Sequence, residues 1–188
     1  MRFLAGFLSG LVLVALAAAI YGYSARFNVA ATEPHTGFAS WAFNAVKQHS
    51  VKARAQAITP PPVPPSQKIG EAFRSFNEMC VQCHGAPGRA RSVVGKGLNP
   101  PPPSLSEAVR RWDRAELFWI VKNGIKMTGM PAFGATHSDE ELWLLVAFLE
   151  RLPNTGPEQF KEMEEKFGEA PQAEQPRQGE QPRQGHRH

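Results

Sequence analysis

The chain has 188 residues, of which 42% are hydrophobic and 20% charged, a globular composition that excludes wholesale disorder. Its two cysteines allow at most one disulfide, which excludes a disulfide-stapled scaffold. All of the formal net charge of +4 lies within residues 1–65, whereas residues 66–188 hold equal numbers of basic and acidic side chains. Because a nucleic-acid-binding protein carries a basic patch on its folded domain, we predict no nucleic-acid partner.

Residues 1–23 form the first candidate element, a membrane anchor. No charged side chain occurs from Phe3 to Tyr23, and a helix over these residues is about 30 Å long, enough to cross a bilayer. Arg2 and the amino terminus are the only charges before the segment, so we expect the tail to stay cytoplasmic and the rest to cross. A cleaved signal peptide, with a cleavage site at 17–19, is the alternative. Both interpretations place most of the chain outside the cytoplasm.

Residues 24–58 form a connecting segment with an amphipathic helix predicted over 36–57. Its apolar residues recur at helical spacing and basic residues follow them. The helix lies either on an anionic membrane surface or against the main domain, and the pattern does not distinguish the two. The apolar set is Phe38, Trp41, Ala42, Ala45 and Val46, and the basic set is Lys47, Lys52 and Arg54.

The main domain is predicted over residues 67–167, between two segments of biased composition. Residues 59–66 have the sequence TPPPVPPS, which favours a semi-rigid polyproline II spacer. Residues 168–188 contain a tandem EQPRQG hexamer with no apolar residue to bury, so we predict a disordered tail.

Three helices of this domain are predicted from apolar spacing and end signals. The first covers 67–79 and has one apolar face. The second begins at a capping box of Asp113 and Glu116 and ends at Gly124, and the third begins at a capping box of Ser138 and Glu141. The apolar face of the first helix consists of Ile69, Ala72, Phe73, Phe76 and Met79.

Both cysteines lie in the motif Cys80-Val81-Gln82-Cys83-His84. A bare C-x-x-C motif is compatible with a disulfide, a redox dithiol or half a zinc site. A histidine directly after the second cysteine is instead typical of covalent haem c attachment. The two thiols, three residues apart, can each add to a haem vinyl group, and His84 then provides the proximal iron ligand. The predicted cofactor is one covalently attached haem c.

With this motif the chain resembles class I c-type cytochromes. It is most similar to single-haem domains of membrane-bound bacterial respiratory cytochromes, including those of cbb-type oxidase subunits. The resemblance rests on Cys80–His84, on the stretch 117–134 with its Gly-Met-Pro, and on the final helix that begins at Ser138. It implies an all-α cytochrome c fold with covalent haem, here preceded by one transmembrane helix.

The resemblance also implies the remaining contacts of the iron. The axial methionine of the family precedes a proline, which here designates Met130 before Pro131 as the sixth ligand, rather than Met127 or His137. A proline carbonyl of the family holds the proximal histidine ring, and one of the four residues at 100–103 should do so for His84.

These features predict an electron-transfer protein rather than an enzyme. An iron with two strong protein ligands leaves no position for substrate. We expect an inner-membrane, single-pass protein whose haem domain faces the periplasm. It would carry electrons from a membrane dehydrogenase or quinol-oxidising complex to a terminal oxidase, with membrane lipid as a further partner. A fixed cytochrome subunit of a larger complex is the alternative.

An acidic redox partner is suggested by the distribution of charge. Residues 68–126 hold ten basic and five acidic side chains, and residues 127–166 hold three basic and eight acidic ones. Such a dipole steers oppositely charged partners. The basic residues expected around the haem edge are Arg89, Arg91, Lys96, Lys122 and Lys126.

Overall fold

The computed structural model describes residues 2–65 and 68–168, and this part of the chain is all-helical without a β-strand. The all-α prediction is therefore confirmed. The predicted tail lies outside the described residues apart from Gly168. The α-helices of the described chain are α1 (Arg2–Tyr23), α2 (Gly37–Ala55), α3 (Ile69–Met79), α4 (Val81–His84), α5 (Val93–Gly97), α6 (Leu105–Arg111), α7 (Arg114–Asn123), α8 (Asp139–Leu149) and α9 (Pro157–Phe167). Short 3-10 turns occupy Phe133–Ala135 and Leu152–Asn154.

Helix α1 is long and apolar enough to cross a membrane, and none of its side chains is buried by the rest of the protein. A helix with an apolar surface on every side is stable in lipid but not in water. The helix is thus compatible with a single-pass membrane anchor.

The core of the haem-motif domain forms where α3 packs against α8 and α9. Ala72, Phe73 and Phe76 of the predicted apolar face are buried, and Ile69 and Met79 pack at its margin. Both predicted capping boxes are present, at the starts of α7 and α8. Each box satisfies backbone N–H groups that the first helical turn leaves unpaired. The cap at Ser138 also lowers the pKa of Glu141, because the Ser138 N–H and hydroxyl donate to its carboxylate.

Phe76 lies at the centre of this core. Its ring is fully buried, with its centroid 5.1 Å from that of Phe148 and 6.0 Å from that of Phe160. We expect Phe76→Ala to lower the free energy of unfolding by about 3–5 kcal/mol, because the lost ring leaves a cavity among three helices. Chemical denaturation of the haem-loaded protein measures this. Phe38→Ala is the matched control, because the Phe38 side chain is exposed and should contribute less than about 0.5 kcal/mol.

Helix α2 is attached to this domain through its C-terminal half. It contacts α7, and its buried side chains are Val51 and Ala55. Farther along the chain, Ile58 packs at the margin of the core, and Arg114 of α7 donates a hydrogen bond to the carbonyl of Pro61. The structure therefore favours packing on the domain for this half of α2. The proline-rich segment thus contacts the domain surface at Pro61.

Candidate haem-binding site

The two cysteines lie on a single helical turn. Cys80 links the end of α3 to the start of α4, and its carbonyl accepts hydrogen bonds from the backbone N–H groups of Cys83 (3.2 Å) and His84 (2.9 Å). Both thiols are free, so the disulfide alternative is not realised in the structure. The turn thus presents two sulfur atoms and an imidazole within five consecutive residues.

Burial distinguishes the two thiols. Desolvation, and secondarily the neighbouring Cys83, raises the pKa of the buried Cys80 thiol to about 12, while Cys83 is half-buried. A thiol with this pKa is not a redox-active thiolate at neutral pH. A thioether carries neither proton nor charge, so burial does not oppose a covalent link at Cys80. The buried Cys80 thiol is therefore compatible with haem attachment.

A single hydrogen bond determines the tautomer of His84. Its Nδ1 lies 2.8 Å from the carbonyl oxygen of Pro103, and because a carbonyl only accepts, Nδ1 carries the proton and donates it. The Nε2 lone pair is then available to a metal. Desolvation and the nearby Arg91 lower the pKa of His84 while the Pro103 bond opposes them, which favours the neutral ring that coordinates iron. Among the four prolines that the sequence could not separate, the structure identifies Pro103.

Gly95 of α5 allows a second segment to pack directly on the attachment turn. A Cβ atom at this position would lie 2.5 Å from the carbonyl oxygen of Cys83 and 2.8 Å from that of Gln82. The Ser92 N–H also donates to the Gln82 carbonyl at 3.0 Å. Sequence analysis missed Gly95 because no local pattern indicates which backbone a glycine approaches.

Met130 lies on a compact loop after α7. The Met130 N–H donates to the Thr128 hydroxyl at 3.1 Å, and its carbonyl accepts from the Ile125 N–H at 3.3 Å. Met130 is half-buried, whereas Met127 is 77% exposed. His137, the other alternative ligand, is half-buried at the start of α8, where its Nδ1 lies 2.9 Å from the Thr136 hydroxyl.

The conformation of this loop depends on a left-handed backbone at Gly124. Its φ is +65°, and a Cβ atom there would lie 2.7 Å from the Met130 carbonyl oxygen and 2.7 Å from the Pro131 carbonyl carbon. We expect Gly124→Ala to cost about 1–3 kcal/mol of stability through backbone strain and displacement of the loop. Thermal unfolding and the absorption spectrum of the haem-loaded variant measure both effects. Gly97→Ala is the matched control, since nothing lies within 4 Å of that position; equal behaviour of the two variants would contradict the role given to Gly124.

A cavity of about 590 Å³ opens beside His84. Its lining includes the cationic side chains of Arg89, Arg91 and Lys96. Cys80, Cys83 and Met130 are not part of this lining. The structure thus brings Cys80, Cys83 and His84 together and places Met130 on a separate loop.

Two of the five predicted steering cations have acidic partners. Arg89 pairs with Glu164, and Lys122 pairs with Asp139 at 2.7 Å. Within residues 2–65 and 68–168, Arg91, Lys96 and Lys126 form no ion pair. These three remain available for an external anion or an acidic surface.

Comparison with known proteins identifies the type of domain. The model of the family described as cytochrome c oxidase, cbb3-type, subunit III matches residues 67–149. No curated protein and no solved structure gave a match. The matched residues contain the attachment turn, the Met130 loop and helices α3 to α8.

Proposed function

Residues 67–149 form a c-type cytochrome domain of the cbb3 kind, and from this we propose that the chain is a membrane-anchored, single-haem electron carrier. The cofactor of such a domain is haem c, and its activity is electron transfer. The carrier works on the periplasmic face between respiratory complexes. The observation that supports this most is the His84–Pro103 hydrogen bond, which leaves Nε2 free on the turn that carries both thiols.

Four side chains would hold the cofactor. Cys80 and Cys83 provide thioether links, His84 provides the proximal ligand and Met130 the sixth ligand. When bound, the haem iron supplies a one-electron couple between Fe(II) and Fe(III). The neutral thioether of Met130 would favour Fe(II) over Fe(III). The reduction potential would therefore be higher than that of a haem iron held by two histidines. The Pro103 carbonyl holds the protonated Nδ1 of His84, so Nε2 is the nitrogen that would bind the iron.

The proposed location follows from α1. No charged side chain lies between Arg2 and Arg26, and we place the short tail before the span in the cytoplasm. Haem c is attached on the non-cytoplasmic side of the membrane, which agrees with this orientation. Electrons would arrive from a membrane dehydrogenase or quinol-oxidising complex and leave to a terminal oxidase.

A second candidate function is a fixed cytochrome subunit of a larger complex, because the matching family is described as an oxidase subunit. Purification of the full-length protein in mild detergent distinguishes the two. A lone cytochrome supports the carrier, and a stoichiometric protein partner supports the subunit.

Electrostatic steering predicts that the rate of electron transfer depends on ionic strength. We expect Arg91→Gln with Lys96→Gln to slow electron transfer to the acidic partner several-fold at low ionic strength, because steering raises association rates by ~10–10³-fold. The difference should vanish at high salt. Stopped-flow kinetics with the native partner measure it, and Lys161→Gln with Lys166→Gln on α9 is a control of equal charge change. Equal slowing by both pairs, or no salt dependence, would contradict steering at this site.

A further inference from the structure

Helix α2 has two apolar faces, and only one of them is covered by the domain. Val51 and Ala55 are buried, whereas Phe38, Trp41 and Val46 are 77%, 67% and 67% exposed. At ~100° of rotation per residue, the exposed set is centred roughly 120° from the buried pair. Packing on the domain therefore explains the C-terminal half of α2 and leaves Phe38, Trp41 and Val46 of its N-terminal half exposed.

The exposed apolar residues are concentrated next to the end of the candidate membrane span. Only 13 residues separate the end of α1 at Tyr23 from the start of α2 at Gly37. Two apolar side chains of this connection, Phe27 and Val29, are also exposed. The apolar surface of the span thus continues along the chain into the outward face of α2.

Basic side chains outnumber acidic ones along the same stretch. Residues 24–58 contain Arg26, Lys47, Lys52 and Arg54 against the single acid Glu33. None of these four cations forms an ion pair within the described residues. At ~100° of rotation per residue, Lys52 lies within about 45° of the centre of the exposed apolar set, an arrangement typical of helices in the membrane interface, whereas Lys47 and Arg54 lie on the opposite side of the helix.

We propose that the outward face of α2 lies in the membrane interface beside α1 and fixes the orientation of the haem domain against the bilayer. The inference rests on the proposed membrane anchor. The connection contacts the domain where the Asn99 side chain donates a hydrogen bond to the Glu33 carbonyl at 2.7 Å, but this hydrogen bond alone does not fix the angle between the domain and the bilayer. With one half of α2 in the interface and the other half packed on α7, the domain instead keeps one side towards the lipid.

Lipid-phase photolabelling of the full-length, haem-loaded protein tests the placement. The protein is reconstituted in phosphatidylcholine–phosphatidylglycerol vesicles that contain a phospholipid with a diazirine in its acyl chain, and tryptic peptides are mapped after illumination. We expect label in the span and in peptide 27–47, which carries Phe38, Trp41 and Val46. Peptide 92–96 is the internal control, since its Val93 and Val94 are also apolar and exposed but distant in sequence from the span.

The possible outcomes test the interfacial placement of α2 separately from the presence of the membrane anchor. Label in the span without label in peptide 27–47 overturns the inference and leaves the anchor intact. A mature protein that lacks the span, or a span without label, overturns both. Equal label in peptides 27–47 and 92–96 also overturns the inference, because the domain would then have no fixed side towards the lipid.

The orientation itself is measured by electron paramagnetic resonance of the oxidised haem in stacked, aligned bilayers. We expect the wild-type spectrum to change with the angle between field and membrane normal. Phe38→Ser with Trp41→Ser and Val46→Ser should remove most of this dependence, while the absorption spectrum stays unchanged because these side chains are exposed. The control variant, Val93→Ser with Val94→Ser, should keep the angular dependence of the wild type. Retained angular dependence in the triple variant would overturn the inference.

Discussion

Replacing Met130 with alanine is expected to open the sixth coordination position while leaving the haem covalently attached. The backbone bonds of Met130 to Thr128 and Ile125 do not involve its side chain, so the loop should keep its shape. The iron should change from low to high spin, and the methionine–iron charge-transfer band should disappear. The reduction potential should fall by on the order of 0.1 V or more, within the ~0.8 V range that axial ligands span.

Met127→Ala is the matched control for this experiment. Met127 lies three residues earlier on the same loop, but its side chain is 77% exposed. We expect its spectrum and potential to equal those of the wild type. Loss of the charge-transfer band in Met127→Ala would instead assign the sixth ligand to Met127. A low-spin spectrum that persists in Met130→Ala would make His137 the next candidate for the sixth ligand.

Replacing both cysteines, Cys80→Ser with Cys83→Ser, is expected to abolish covalent haem completely. No other cysteine exists in the chain to form a thioether. Without covalent attachment the domain loses a ligand that binds only the folded state, so its stability and yield should fall as well. Haem staining after denaturing electrophoresis measures the covalent link.

The single-cysteine variants serve as internal controls for the pair. Each should retain one thioether, and Cys80→Ser should destabilise the fold more than Cys83→Ser because Cys80 is buried among core residues. Haem that remains bound to the double variant under denaturing conditions would contradict the proposed attachment.

The helices that local signals define could be predicted from the sequence. The apolar face of α3 follows the helical period, and the capping boxes at Asp113 and Ser138 involve residues only three positions apart. Helix α9 carries a comparable signal. Its Phe160, Met163 and Phe167 recur at helical spacing after Pro157, and Phe160 is a fully buried core residue.

Contacts between distant segments could not be predicted in the same way. Four consecutive prolines are equivalent in sequence, and only the folded loop brings the Pro103 carbonyl to His84. The approach of Gly95 to Cys83 likewise depends on how α5 packs. For α2 the sequence predicted an amphipathic helix but not that its two halves have different surroundings, because periodicity does not reveal what covers a face.

The most direct test of the proposed haem ligation is the absorption spectrum of the purified full-length protein, oxidised and reduced, from cells that attach haem c. We predict a low-spin haem that stays with the polypeptide in denaturing solvent and shows the methionine–iron charge-transfer band when oxidised. A haem that is extracted by the solvent would contradict the role of Cys80 and Cys83. A high-spin spectrum would contradict ligation by His84 and Met130.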